Sequence, residues 1–227
     1  MNEKIKAKNS AINLIFDYDG TLHNSIKIYG PAFRRAYEYL VEKGYAKDRV
    51  WEDSDISKWL GYSAKDMWSN FMPDLPEDEK DKCSSMIGSA MIKYLNEDKA
   101  ELYDGAIEIL KELNELGYNL IFLSNCKIKY MEEHKRLFSL EKYFVEFYCT
   151  EQYDFIPKYE IFKFIKEKYK GEFIVIGDRA VDIEISKRHD LYSIGCLYGF
   201  GNYEELKESD VIARDIKEIK DLIISYK

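Results

Sequence analysis

Apolar residues gather in short unbroken runs along the chain, and three of these runs end on polar side chains. Ile12 to Phe16 leads into Asp17, Asn119 to Leu123 into Ser124, and Phe173 to Ile176 into Gly177-Asp178. The runs are rich in Ile, Leu, Val and Phe with little alternation, which predicts strands buried on both faces of a parallel sheet. Weaker runs at Tyr143 to Cys149, Tyr192 to Leu197 and Val211 to Ala213 predict further strands. Between them the period changes. Ala106 to Leu116 is apolar at Ile107, Leu110 and Leu113 and is followed by Gly117, a helix with its stop; Ile161 to Tyr169 is apolar at Ile161, Phe162 and Ile165 and lysine-rich elsewhere. Strands alternating with helices of this size predict an α/β fold, a Rossmann-like doubly wound parallel sheet. Ligands of such sheets bind beyond the carboxyl ends of the strands, so the three polar clusters are expected to converge.

The alternation breaks between about Ile26 and Lys99. Ile28, Ala32, Phe33, Ala36, Tyr37 and Leu40 share one helical face, and Met86 to Leu95 carries another. Pro73 and Pro76 mark a loop between helices, and Trp51, Trp59 and Trp68 all fall in this stretch. The pattern predicts an all-helical domain at 23–99, inserted after the first strand of a core made of 1–22 and 100–227. No internal repeat or low-complexity segment interrupts it.

Composition narrows the partners. The chain has 227 residues, 46% hydrophobic and 33% charged, as in an ordinary globular protein. A formal charge of −8 argues against nucleic acid or an anionic membrane as partner, but not against a small anion held by a metal and a lysine. The opening MNEKIKAKNS is charged and precedes no apolar run of signal or membrane-spanning length. Cys83, Cys126, Cys149 and Cys196 are scattered without a CxxC pair and read as reduced thiols; Cys126 lies close to Ser124. The expectation is a cytoplasmic protein, monomer or homodimer, free of membrane and nucleic acid.

The chemistry lies at the ends of the three strong runs. In Asp17-Tyr18-Asp19-Gly20-Thr21 two carboxylates two residues apart can face one ligand if Gly20 turns the chain. One can attack phosphorus while the other protonates the leaving oxygen and later activates water; the plainer reading is an Asp-rich turn closing a strand. Asp178, in Gly177-Asp178-Arg179-Ala180-Val181-Asp182, suits Mg²⁺, which takes one or two carboxylates together with phosphate oxygens and water. Asp182 either supports that site from behind or charges the first turn of a helix. Ser124-Asn125, read as opening a helix, suits a phosphate oxygen, or Ser124 is an N-cap. Lys158, after Pro157 at a helix start, is misplaced for the helix dipole unless it faces an anion; otherwise it is one more surface lysine.

These pieces, in this order, resemble the haloacid dehalogenase superfamily over nearly the whole chain. Asp17 to Thr21 matches its first motif, DxDGT, and Ser124 its second. Lys158 matches the third motif and Gly177 to Asp182 the fourth, GDxxxD. The insert looks like the family's helical cap, Leu102-Tyr103-Asp104-Gly105 like its LYPG-type return to the core, and the subgroup like the phosphoglycolate phosphatases. The resemblance implies Asp17 as nucleophile and Asp19 as acid and base. It implies Asp17, the Asp19 backbone carbonyl and Asp178 as Mg²⁺ ligands, with Asp182 behind them, and Ser124, Asn125 and Lys158 on the phosphoryl group. Three positions depart from the family's usual pattern: Asn24 stands before Ser25 in place of Asp, Tyr159 after the lysine in place of Pro, and Asp104 in place of Pro.

Asp19 also separates activities, because dehalogenases of this superfamily typically carry Tyr there and phosphonoacetaldehyde hydrolases Ala. The expectation is a phosphatase acting on a small phosphorylated metabolite. A β-phosphoglucomutase-like enzyme and a non-catalytic phosphate-binding protein on the same fold are the alternatives. The cap is expected to choose the substrate, with Arg34, Gly61 and Lys65 as contacts and Arg35, Trp59 and Trp68 as further candidates. The aromatic pair equally suits the cap's own packing. His23, His134 and His189 show no ligand spacing and read as structural or surface residues.

Overall fold

The computed structural model describes residues 12–226. MNEKIKAKNS, the segment read above for signal character, therefore lies outside the described residues. Two compact units emerge, one running to His23 and resuming at Leu102, the other Asn24–Glu101.

The first unit holds a six-stranded sheet among the described residues. Its strands are β1 (Ile12–Phe16), β2 (Asn119–Ser124), β3 (Phe144–Cys149), β4 (Glu172–Gly177), β5 (Tyr192–Cys196) and β6 (Val211–Ala213), in the spatial order β3-β2-β1-β4-β5-β6. Every pairing is parallel. β1 is flanked by β2 and β4, with Phe16 in register with Phe122 on one side and Ile176 on the other. Strand order reverses at β1, so Asp17, the next residue, stands where such sheets open a crevice.

The unbroken apolar runs follow from burial on both faces. Ile15, Ile121, Leu123 and Val175 pack in one cluster with Ile161, Phe162 and Ile165 of the helix Lys158–Lys168 and with Ile185 of the helix Ala180–His189. The intervening strand residues Leu14, Phe16, Leu120, Phe122, Ile174 and Ile176 are buried too. Each such side chain contributes roughly 1.5–3 kcal/mol by leaving water, which rigidly fixes the strand ends that carry polar groups.

The second unit is helical: Ile26–Glu42, Asp53–Ser57, Ala64–Phe71 and Glu77–Asn96. Phe33, Trp51 and Phe71 meet with ring centroids 5.2–5.5 Å apart, and Trp68 Nε1 donates to Ser84 Oγ at 2.7 Å. Trp51 and Trp68 thus take part in the unit's own packing. Pro76 caps the last helix, where a missing N–H costs nothing. Among the described residues, no helix is long and apolar enough to cross a membrane.

One local expectation is corrected. The helix after β2 does not begin at Ser124-Asn125 but at Ile128, running Ile128–Phe138 with Lys127 as its N-cap. Three residues of irregular chain intervene, so Ser124 is the last residue of its strand and is not an N-cap.

Candidate active site

Asp17 leaves β1 with its N–H still bonded to Ile176 O of β4, 2.9 Å away. Beyond it the chain closes a tight loop. The carbonyl of Tyr18 accepts the N–H groups of Thr21, Leu22 and His23 at 3.2, 2.8 and 2.9 Å. Gly20 takes φ +90°, and a Cβ there would stand 2.2 Å from Asp178 Oδ2. Glycine is required on both counts, conformation and close approach.

Three carboxylates meet beside this loop. One oxygen each of Asp17, Asp178 and Asp182 lies within 4.8 Å of the others, and all three residues are buried. Lys158, the first residue of its helix and also buried, donates to Asp17 Oδ1 at 2.6 Å and to Asp182 Oδ1 at 2.7 Å. This explains a lysine at a helix start: it answers two carboxylates rather than the helix dipole. Burial works against its charge, yet Asp17 and Asp182 win and raise its pKa above that of an ordinary lysine.

The acids show the opposite imbalance. Burial, then the negative charge of Asp182, push Asp17 well above the usual carboxylate range despite Lys158. Burial and Asp182 likewise raise Asp178 to about 7. Asp182 bonds in two directions. Its Oδ1 accepts from Lys158, and its Oδ2 accepts the N–H of Arg179, the N-cap of the helix Ala180–His189.

These observations test the site for Mg²⁺. Three buried carboxylates face one buried lysine, so negative charge is in excess, and all the donors are hard oxygens. Asp182 accepts from Lys158 and from the N–H of Arg179, so it orients Lys158 beside Asp17, and Asp17, Asp178 and Asp182 together are the carboxylates that could hold the ion. A divalent cation fits this set. Asp178 is steadied from the other side, where Phe200 N–H donates to its Oδ2 at 2.7 Å and Thr21 Oγ1 to its Oδ1 at 3.3 Å. Cβ atoms at Gly199 or Gly201 would stand 2.4 Å from Asp178 Cβ or 1.9 Å from Asp178 O. The Gly199-Phe200-Gly201 segment is not among the candidates above, and its signal in the chain is two glycines shortly after the β5 run.

Asp19 turns to a different company. Tyr130 Oη donates to its Oδ1 at 2.7 Å, and His23 Nδ1 donates to the same oxygen at 3.0 Å. His23 and His134 are fully buried, their rings 4.5 Å apart, and Tyr18 Oη is hydrogen-bonded to His134 Nδ1 at 2.7 Å. Burial raises the pKa of Asp19, but the His23 and Tyr130 bonds outweigh it and hold the carboxyl below its ordinary value. Burial depresses His134 to about 2, so it is neutral. The histidines read as structural thus include one that touches Asp19; the available signals were the four-residue spacing of Asp19 and His23 and of Tyr130 and His134.

The remaining candidates sit as follows. Ser124, buried, and Asn125, half-buried, stand at the end of β2, the strand beside β1. In the helical unit Arg34 is committed to Asp53 Oδ1 at 2.6 Å and to Trp51 O at 2.9 Å. Gly61 takes φ +87° in a turn, and Lys65 is exposed on the helix Ala64–Phe71.

Comparison with known proteins places this arrangement. Residues 14–196 match the family described as haloacid dehalogenase-like hydrolase. The chain is 24% identical to a phosphoglycolate phosphatase of Vibrio parahaemolyticus, covering 92% of this chain and 95% of that one. It is 26% identical to a glyceraldehyde 3-phosphate phosphatase of Methanocaldococcus jannaschii, covering 94% and 97%. Among solved structures, one described as a predicted phosphatase from Clostridium acetobutylicum superposes with a TM-score of 0.78 at 22% identity, covering 95% of this chain and 99% of that one.

Proposed function

The chain belongs to the haloacid dehalogenase-like hydrolases, and from that premise we propose that it is a Mg²⁺-dependent phosphatase that hydrolyses a small phosphate monoester through an aspartyl phosphate on Asp17. The observation that carries this reading is the buried Asp17, bonded to Lys158 at 2.6 Å and grouped with Asp178 and Asp182.

In this reading an Asp17 oxygen attacks phosphorus while Asp19 gives a proton to the departing ester oxygen. Asp19 then takes a proton from water as that water attacks phosphorus and releases Asp17. Lys158, Ser124 and Asn125 hold the phosphoryl oxygens, where positive charge and aimed donors supply most of the rate in phosphoryl transfer. Asp17, the Asp19 carbonyl and Asp178 would hold Mg²⁺, which would supply charge neutralisation at the phosphoryl oxygens. For the leaving group we assign Gly61 and Lys65 ahead of Arg34, whose guanidinium is already bound to Asp53 and Trp51. The two relatives named above differ in substrate at nearly equal identity, so the reading stops at a small phosphorylated metabolite. Four buried free cysteines support a reducing, cytoplasmic setting.

Turnover of p-nitrophenyl phosphate, with Mg²⁺ and after EDTA, tests the proposal. Hydrolysis that depends on Mg²⁺ is expected. Folded protein that turns over neither this ester nor any of a panel of metabolite phosphates in the presence of Mg²⁺ would overturn it.

A further inference from the structure

The hydrogen bonds around Asp19 carry a detail beyond its role as acid and base, and the detail rests on the phosphatase reading above. Tyr130 and His23 come from different places: Tyr130 from the helix Ile128–Phe138, His23 from the far end of the loop that begins at Asp17. Both reach the same oxygen, Oδ1, at 2.7 and 3.0 Å, and neither bond engages Oδ2. Two donors on one oxygen restrict the turning of the carboxylate and leave Oδ2 as the oxygen that neither bond engages. The pins are themselves held. Gly20 N–H donates to His23 O at 2.9 Å, Tyr18 stacks on the His23 ring at 5.2 Å, and His134 lies 4.1 Å from the Tyr130 ring. His23 and Tyr130 are both buried, so water does not compete for these bonds.

We infer that His23 and Tyr130 are positioning residues that hold Asp19 by Oδ1 so that Oδ2 is the oxygen that passes the proton. In the first half-reaction the bond from Asp17 to phosphorus forms and the bond to the ester oxygen breaks. The proton on Asp19 Oδ2 goes to that oxygen. In the second, water attacks phosphorus, its proton returns to Oδ2, and the Asp17–phosphorus bond breaks to give inorganic phosphate. Neither His23 nor Tyr130 exchanges a proton with substrate; each acts through Asp19.

A leaving group that needs no proton separates this role from a merely structural one. The ratio of kcat/KM for p-nitrophenyl phosphate to that for phenyl phosphate reports only the first half-reaction, and it rises when proton donation is impaired. Tyr130→Phe and His23→Leu are expected to raise the ratio about tenfold, a fraction of the 10²–10⁴ that general acid–base catalysis supplies. His23→Asn, which keeps a donor at the Nδ1 position, restores most of the wild-type ratio. In an Asp19→Asn background Tyr130→Phe leaves the ratio unchanged, since residues acting as one unit are not additive. An unchanged ratio in Tyr130→Phe, or a further rise on the Asp19→Asn background, overturns the assignment. If His23→Leu does not fold, Tyr130→Phe decides alone. Wild-type protein inactive on both esters with Mg²⁺ removes the phosphatase reading itself, an outcome distinct from equal losses on both esters.

Discussion

Asp17 and Asp19 are two residues apart, yet their surroundings push them in opposite directions. Asp17 lies among acids, and burial with the charge of Asp182 raises it; Asp19 lies among hydrogen-bond donors, which hold it low. The first region stores excess negative charge with one lysine to answer it. The second is a cage of rings, Tyr18, His23, Tyr130 and His134, with one carboxylate at its rim. As they stand these directions run opposite to the proposed roles, since a proton carrier is served by the raised value and a nucleophile by the lowered one; ligands must reverse them. A cation beside Asp17 and Asp178 favours their ionised forms, and an arriving phosphoryl anion favours a proton on Asp19.

The comparison breaks most sharply with two amides. Asp17→Asn should cost at least about 10⁴-fold in kcat on every ester, as losses of covalent nucleophiles do, while phosphate binding in Mg²⁺ survives in part. Asp19→Asn should cost about 10²–10⁴-fold, less on p-nitrophenyl than on phenyl phosphate. Steady-state kinetics on the two esters checks both. Equal losses in Asp19→Asn on both esters would remove the proton-carrier role.

A smaller effect comes from the single cation of the first region. Lys158→Met leaves Asp17 and Asp182 without their shared partner. Breaking a buried pair costs about 3–5 kcal/mol, and loss of one charge on the phosphoryl group about 10²–10³-fold in kcat. Urea melts and kinetics read the two separately. Mg²⁺ should recover part of the stability by taking up the charge that Lys158 leaves.

The smallest effects are pH dependences of opposite sign. Asp178, raised to about 7, binds more protons folded than unfolded between its ordinary value and 7. Through this group the metal-free protein gains stability as pH falls from 7 toward 4, and Mg²⁺ should raise the melting temperature more at pH 8 than at pH 6. His134, lowered to about 2, binds fewer protons folded than unfolded below its ordinary value near 6.5. Stability is lost as pH falls through that value, by roughly 1 kcal/mol at pH 5.5. Denaturant titrations of Asp178→Asn and His134→Phe across pH 5–8 should each lose one of the two slopes.

What the chain spells out differs between the same regions. β1, β2 and β4 are legible because burial on both faces leaves uninterrupted apolar runs, and the acids that close them are legible by position. Lys158 is legible because it offends the helix dipole. The cage around Asp19 is not, because Tyr130 is ordinary in composition and meets Asp19 across 111 residues, through a loop whose closure only Gly20 makes possible. The offset of the helix after β2 is equally hidden: Ser124 and Asn125 carry cap chemistry, while the helix waits for Lys127. Phe200 contributes a backbone N–H, which no side-chain pattern announces.

The central place of β1 also sets a timetable. Asn13 pairs with Asn119 and with Phe173, and the whole of Asn24–Glu101 lies between β1 and either partner along the chain. A growing polypeptide must therefore carry β1 unpaired while the helical unit is made. Parallel pairings of such span close large loops and form slowly. Asp17 and Asp178 are brought together only when β4 docks, so the excess charge of the site is assembled late, after most of the sheet is available to hold it.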